Sequence, residues 1–284
     1  MTYVDAHTHV WFKETLPQSF TTALAGFEYK PPSLQEVLRE MDSVDIDYIL
    51  IIAYPSREIW GLKEDFPISV INYLKPYANR FSVAGGLEPN KLSIEETKYW
   101  LEKQYEAGIS AIKLHPVHSH FKPNSYREEE GGLRQLELIY QFAQDHNLPV
   151  IIHTGTSMFL RARNKYADPI FIDDVAVDFP RLKIIMAHMG RPSYTQIAFQ
   201  IARIRKNVYA EISSIPPKRL LDYLPRIEEI SYKTIYGSDY GGPGVKGIAE
   251  NLKEFLSINI SEKAKIEISS KNPKDIYKPL SETL

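Results

Sequence analysis

Pro149–Gly190, PVIIHTGTSMFLRARNKYADPIFIDDVAVDFPRLKIIMAHMG, reads as one strand–helix–strand unit. PVIIHTG and KIIMAHMG each hold a short, continuous apolar run, the pattern of a strand covered on both faces. Between them PIFIDDVAVDFP reads as a helix ended by Pro180. A strand, a helix and a second strand in that order make a parallel crossover, because parallel neighbours need a long connection. Each strand also delivers one imidazole, His153 or His188, at its C-terminal end.

The same alternation extends in both directions. Upstream come the strands TYVDAH, DYILIIAY, FSVAGGLEP and SAIKLHP. Their helices are SLQEVLREMDSVD, SVINYLKPYAN, IEETKYWLEKQYEAG and GLRQLELIYQFAQDHN. Ser33 with Glu36 is a capping box, and Gly108 is a helix stop. Downstream come the helix YTQIAFQIARIRK, the strand VYAEISS, the helix KRLLDYLPRIEEIS, the strand KTIYGSDY and the helix GIAENLKEFLSINI. SEKAKIEISSKNPKDIYKPL adds one or two short helices. About eight strand-then-helix units predict a (β/α)8 TIM barrel, a single domain over residues 1–284. An open doubly wound sheet is the second choice. It lacks support because no Gly-rich nucleotide turn follows any strand, and GPGVKG has neither Walker nor Rossmann spacing. The patternless connections Val10–Pro32, His118–Gly131 and Thr156–Asp168 all follow strands, so they are candidate lids and specificity loops.

Composition excludes several classes of function. There is no cysteine, so disulfides, thiol nucleophiles and Cys-ligated metals are ruled out. The net charge is −2 with no long run of one sign, which gives no basis for a nucleic-acid or membrane partner. No apolar run approaches the roughly 20 residues of a membrane span. MTYVDAH reads as a strand and not a secretion signal, so the expected location is the cytoplasm. The expected partner is a small-molecule substrate, with a homodimer left open.

The ionisable residues then fall into register. His7 and His9 stand two apart on strand one and so share a face. Lys113 and His115 end strand four, His153 strand five, His188 strand six and Asp239 strand eight. A lone histidine at a strand end is more often a satisfied hydrogen-bonding residue than a ligand. Here five of the eight histidines share that placement, and in a barrel those ends converge on one mouth. Several imidazoles and a carboxylate without cysteine form a ligand set for zinc or another borderline divalent ion. Asp5 lies one layer deeper on the same strand, either fixing an imidazole tautomer or capping a turn. His118 and His120 lie in the loop after strand four, within reach of substrate, and His146 reads as a structural helix-end residue.

DAHTH, AIKLHP, IIHTG, IIMAHMG and YGSD, in that order, resemble the amidohydrolase superfamily, closest to its amidohydrolase-related branch of hydrolases and decarboxylases. The resemblance covers essentially the whole chain. It implies a barrel with one divalent metal ion, usually zinc. Carried over, His7, His9, His153 and Asp239 are metal ligands, and Asp239 also takes a proton from a bound water. His188 becomes an acid or base. Binuclear relatives carbamylate a strand-four lysine, but Leu-His-Pro follows Lys113 here. An unmodified, substrate-facing Lys113 is therefore favoured over a bridging carbamate, with His115 beside it.

The expected reaction is hydrolysis, a metal-activated water attacking the carbonyl of an amide, ester, lactone or activated ketone. The alternative is non-oxidative decarboxylation of an aromatic or unsaturated carboxylate. That reaction calls for an arginine on the substrate carboxylate, with Arg161, Arg163 and Arg191 as candidates and Arg163 chosen for substrate binding. A third reading is a barrel that has lost catalysis and serves as a binding protein. Trp11, Phe12, Tyr29, Trp60 and Phe159 are expected mainly to pack lids rather than to line a pocket.

Overall fold

A computed structural model describes residues 1–21 and 28–284. The strands are β1 (Tyr3–Thr8), β2 (Ile46–Ile52), β3 (Phe81–Gly86), β4 (Ala111–Leu114), β5 (Val150–His153), β6 (Ile184–Ala187), β7 (Val208–Glu211) and β8 (Thr234–Ile235). They pair in sequence order, every pair parallel. Backbone bonds close the circle between the segment after β8 and β1. The Ala6 N–H donates to Tyr236 O (3.1 Å), Asp239 N–H to His7 O (2.8 Å) and His9 N–H to Tyr240 O (2.6 Å). The architecture is the expected (β/α)8 barrel.

The helices are α1 (Leu34–Asp42), α2 (Phe66–Leu74), α3 (Ile94–Ala107), α4 (Pro116–Ser119), α5 (Arg134–Asp145), α6 (Phe171–Asp178), α7 (Thr195–Ile204), α8 (Leu220–Tyr223) and α9 (Ile248–Leu256). Local chemistry sets their ends. Ser33 with Glu36 and Ser93 with Glu96 form capping boxes on α1 and α3, and Gly108 closes α3 at φ 104°. Each such cap is worth about 1 kcal/mol. Near the C-terminal end α10 (Glu262–Ile266) and α11 (Asn272–Ile276) run together through a π-helical stretch, Glu267–Lys271, and α12 (Leu280–Thr283) follows.

Two expectations needed correction. KRLLDYLPRIEEIS is not one helix, since α8 stops at Tyr223 and a 3-10 stretch follows at Ile227–Lys233. Pro225 is the reason. It has no N–H to continue the helix, and it drives Leu224 out of the helical region, to φ −132° and ψ 66°. β8 is also shorter than KTIYGSDY suggested, because the Tyr236 N–H turns to Ile268 O in the C-terminal helices. Of the Val10–Pro32 connection, residues 22–27 lie outside the described residues.

The barrel interior follows from the apolar runs. Val150, Ile151, Ile152, Ile184, Ile185 and Met186 are all fully buried. Each such side chain contributes roughly 1.5–3 kcal/mol on leaving water. Rigid, doubly covered strands are what hold the polar residues at their ends in fixed positions. Among the described residues no helix is long and apolar enough to cross a membrane.

Candidate active site

His7 leaves β1 fully buried, and His9 follows it at the barrel mouth, its side chain 17% exposed. The segment after β8 folds back against this pair. Asp5 organises that fold, its Oδ1 accepting the backbone N–H groups of Ser238 (2.8 Å) and His7 (3.3 Å). Asp5 thus caps the turn and does not touch an imidazole nitrogen, which settles the two sequence readings in favour of the cap. Asp239 sits in the left-handed region at φ 63°, and Gly241 at φ 93°. Only glycine fits at 241, since a β-carbon there would lie 2.3 Å from His9 O.

The turn delivers the Asp239 carboxylate to the two histidines. Its Oδ1 lies 3.4 Å from His9 Nε2 and 3.8 Å from His7 Nε2, and the three ligand atoms fall within 4.8 Å of one another. Metal–nitrogen distances of about 2.0–2.1 Å put neighbouring tetrahedral ligand atoms about 3.3 Å apart, close to this spacing. Asp239 Oδ1 is buried and receives no hydrogen bond among the described residues. Burial opposes ionisation of Asp239, yet His9 and His7 beside it hold the carboxyl well below the usual carboxylate range. A buried carboxylate oxygen that two imidazole nitrogens face without a formed hydrogen bond suits a cation, so these residues fit a divalent ion.

Glu211, at the end of β7, escaped the sequence reading. It is fully buried, and its Oε2 lies 2.9 Å from His7 Nδ1. It also accepts from the Ser213 N–H (2.6 Å) and hydroxyl (3.0 Å). His7 therefore donates from Nδ1 and keeps its Nε2 lone pair facing Asp239, the carboxylate–histidine arrangement common around zinc. The signal was present in VYAEISS, a strand that ends on an ionisable group like its neighbours.

Lys113 faces the site as expected, its Nζ 3.5 Å from His7 Nε2. Burial pushes the Lys113 ammonium down and the Glu211 carboxyl up, both toward the neutral form. His153 stands beside the three-residue group but not in it. Its Nε2 faces Gly155 O at 3.1 Å, and its ring stacks on His115 with centroids 3.9 Å apart. With Nε2 donating to that carbonyl, Nδ1 is the free lone pair. His188 contacts Ser213 O (3.1 Å) and Ser213 Oγ (2.9 Å) through Nδ1, and its ring lies 5.0 Å from His7 and 4.7 Å from His153. Burial first, then the mutual repulsion of neighbouring cations, holds His7, His115, His118, His153 and His188 well below the ordinary imidazole value. These imidazoles are neutral acceptors or ligands at pH 7.

The mouth opens into a cavity of about 570 Å³ lined by His9, Lys113, His115, His153, His188 and Asp239. Tyr54, Trp60, Phe159 and Tyr223 supply aromatic wall. Trp60 and Phe159 therefore face the pocket, whereas Trp11, Phe12 and Tyr29 are packed away from it, as expected for most of the aromatic set. Arg163 does not reach the cavity: it is exposed, and its backbone N–H binds Val117 O at 3.0 Å. Its loop turns outward there. Arg191 lines the wall instead, with Nη2 on the Ser214 hydroxyl and a buried Nε that has no partner among the described residues.

A family model described as Amidohydrolase matches residues 4–278. No curated protein matches the chain. Among the solved structures that share the barrel are the following three. An uncharacterized TIM-barrel protein from Bordetella bronchiseptica is 20% identical, with TM-score 0.76 over 100% of this chain and 99% of that one. 5-Carboxyvanillate decarboxylase from Sphingomonas paucimobilis is 14% identical, with TM-score 0.63 over 98% and 99%. A putative 2-pyrone-4,6-dicarboxylic acid hydrolase from Pseudomonas putida is 14% identical, with TM-score 0.66 over 97% of each chain.

Proposed function

The chain belongs to the amidohydrolase family, and on that premise we propose that it is a metal-dependent hydrolase. Its target is a carbonyl-type bond (amide, ester, lactone or activated ketone) in a small organic substrate. The observation that carries this reading is the convergence of the buried Asp239 Oδ1, without a hydrogen bond among the described residues, on the Nε2 atoms of His7 and His9. His7, His9 and Asp239 would hold one divalent ion, zinc by their chemistry, and His153, outside that group with its ring 4.7 Å from His188, could add its Nδ1 as a further ligand. Such an ion supplies Lewis acidity and lowers the pKa of water to about 7.

The chain's own groups do the rest. Asp239, ionised at neutral pH, accepts a proton from the attacking water. His188, whose Nδ1–H is held by Ser213, has an Nε2 lone pair that can take that proton over from Asp239 and pass it to the leaving group. Lys113 adds a polar contact at the cavity floor, and the aromatic wall keeps bulk water away from the substrate.

Arg191 favours a second reading. An arginine on the cavity wall with a partnerless Nε suits a substrate carboxylate, which non-oxidative decarboxylation requires. The hydrolase among the structural neighbours supports the first reading, and the decarboxylase supports the second. The deciding experiment is a screen of lactones, amides, esters and aromatic carboxylates with zinc-loaded and chelated protein. Hydrolysis that disappears with chelator supports the proposal. Carbon dioxide release would replace it with the lyase, and activity that survives complete chelation would end both.

A further inference from the structure

His115 sits on the cavity wall in an unusual setting. Its ring is sandwiched face to face between His118 (centroids 3.5 Å apart, 8° between planes) and His153 (3.9 Å, 17°). Stacking on both faces leaves the ring no freedom to turn over. At one edge Nδ1 faces the backbone N–H of His118 at 3.3 Å, a donor that it shares with His115 O at 3.1 Å. A backbone N–H has no alternative protonation state, so Nδ1 must be the acceptor and the ring proton belongs on Nε2. Nε2 has no hydrogen-bond partner among the described residues, and it is not among the side-chain atoms sealed from solvent. It opens on the cavity that His115 lines.

A directional chain holds this arrangement from behind. Trp60 Nε1–H donates to Tyr54 Oη (3.3 Å), which leaves the Tyr54 hydroxyl proton for His118 Nδ1 (3.2 Å). His118 Nε2–H then donates to Ser157 Oγ (2.9 Å). The chain joins the loops after β2, β4 and β5, and every donor in it has one acceptor. His118 is thereby fixed at both ring nitrogens, and it presses on His115 as a fixed plate.

We propose that His115 is a substrate-binding donor, presenting a fixed Nε2–H to a proton-free oxygen of the substrate, a carboxylate or carbonyl oxygen, with His118 as its positioning residue. This deepens the reading of the cavity as a substrate site and rests on it. The consequence is a polarity preference: the wall accepts an oxygen acceptor where it would repel an ammonium or other pure donor.

Benzoate and benzylamine, equal in ring size and opposite in hydrogen-bonding character, serve as probes. Long-range ¹H–¹⁵N correlation of the imidazoles at pH 7 is expected to show His115 in the Nε2–H form, with that resonance moving on addition of benzoate and not of benzylamine. Isothermal titration is expected to show benzoate binding about tenfold weaker to His115→Phe, which keeps the stack and loses the donor. Proton on Nδ1, or equal benzoate affinity in wild type and His115→Phe, or no benzoate binding by either, overturns the proposal. If the variant fails to fold, the wild-type spectrum alone decides. The metal reading fails separately. A protein that binds no zinc but shows the Nε2–H form and its benzoate shift keeps this inference and loses the proposed hydrolase.

Discussion

His7 Nδ1 and Glu211 Oε2 stand 2.9 Å apart, both side chains wholly buried, joining the first barrel strand to the seventh. This contact decides which nitrogen of His7 is free. Replacing the carboxylate with an amide keeps the size but lets an NH₂ face Nδ1, which favours the wrong tautomer. Glu211→Gln should weaken zinc binding by about 10–100-fold, the usual cost of losing such a partner. Competition with a chromogenic chelator measures it. Unchanged affinity would mean that Glu211 is only a packing element.

Asp239 carries two roles in the proposal, so its removal should be the more severe change. Asp239→Asn should lose zinc binding at micromolar metal and lower any hydrolytic turnover by about 10²–10⁴-fold, the range for loss of a general base. Wild type should gain thermal stability with zinc, about 2.7 kcal/mol at a hundredfold excess over Kd. The Asn variant should gain almost none. A zinc-dependent rise in melting temperature equal in both proteins would place the ion elsewhere.

Gly241 tests whether the loop after β8 sets the site. A β-carbon would meet His9 O at 2.3 Å on a residue already at φ 93°. Backbone, not a flexible side chain, is the obstacle. Gly241→Ala should therefore destabilise the protein by about 1–3 kcal/mol and also displace Asp239. The expected signature is a loss of zinc affinity larger than the loss of stability alone explains. Normal zinc affinity in the folded variant would show that the carboxylate is placed independently of this turn.

Legibility from sequence divides along physical lines. The barrel was readable because strands covered on both faces are mostly apolar, and a polar group at the end of such a run stands out. His7, His9, His188, Lys113 and Asp239 were found that way, and the structure brings them together. Glu211 shows the same signal, but a glutamate is common enough on surfaces to pass unnoticed. Arg163 was chosen over Arg191, and the structure puts Arg191 on the cavity wall instead, because both lie in loops whose course depends on contacts distant in sequence, such as Arg163 N–H with Val117 O. His115 and His118 are three residues apart. Nothing in that spacing announces a stack that needs His153 from the next strand to complete it.

Asp5 offers the clearest pH test. Burial, with some help from the Glu211 charge, raises its pKa from 3.8 to about 7, against the opposing hydrogen bonds from Ser238 and His7. Its Oδ2 is buried without a partner among the described residues, so the ionised form carries one unsolvated oxygen. The folded protein therefore binds the Asp5 proton more tightly than the unfolded chain. Its contribution to stability is fully present below pH 3.8 and is lost as pH rises to about 7. At about 1.4 kcal/mol per pKa unit the loss is on the order of 4–5 kcal/mol. Asp5→Asn has no proton to lose, and its amide oxygen can still take the two backbone N–H groups. Relative to wild type, the Asn variant should grow more stable from pH 4 to pH 7, and the difference should level off above that. Urea unfolding in the presence of chelator, at pH values from 4 to 8, measures the difference without interference from metal. A difference independent of pH would show that Asp5 ionises as readily in the barrel as in the unfolded chain, and that the turn after β8 is held by a carboxylate already charged.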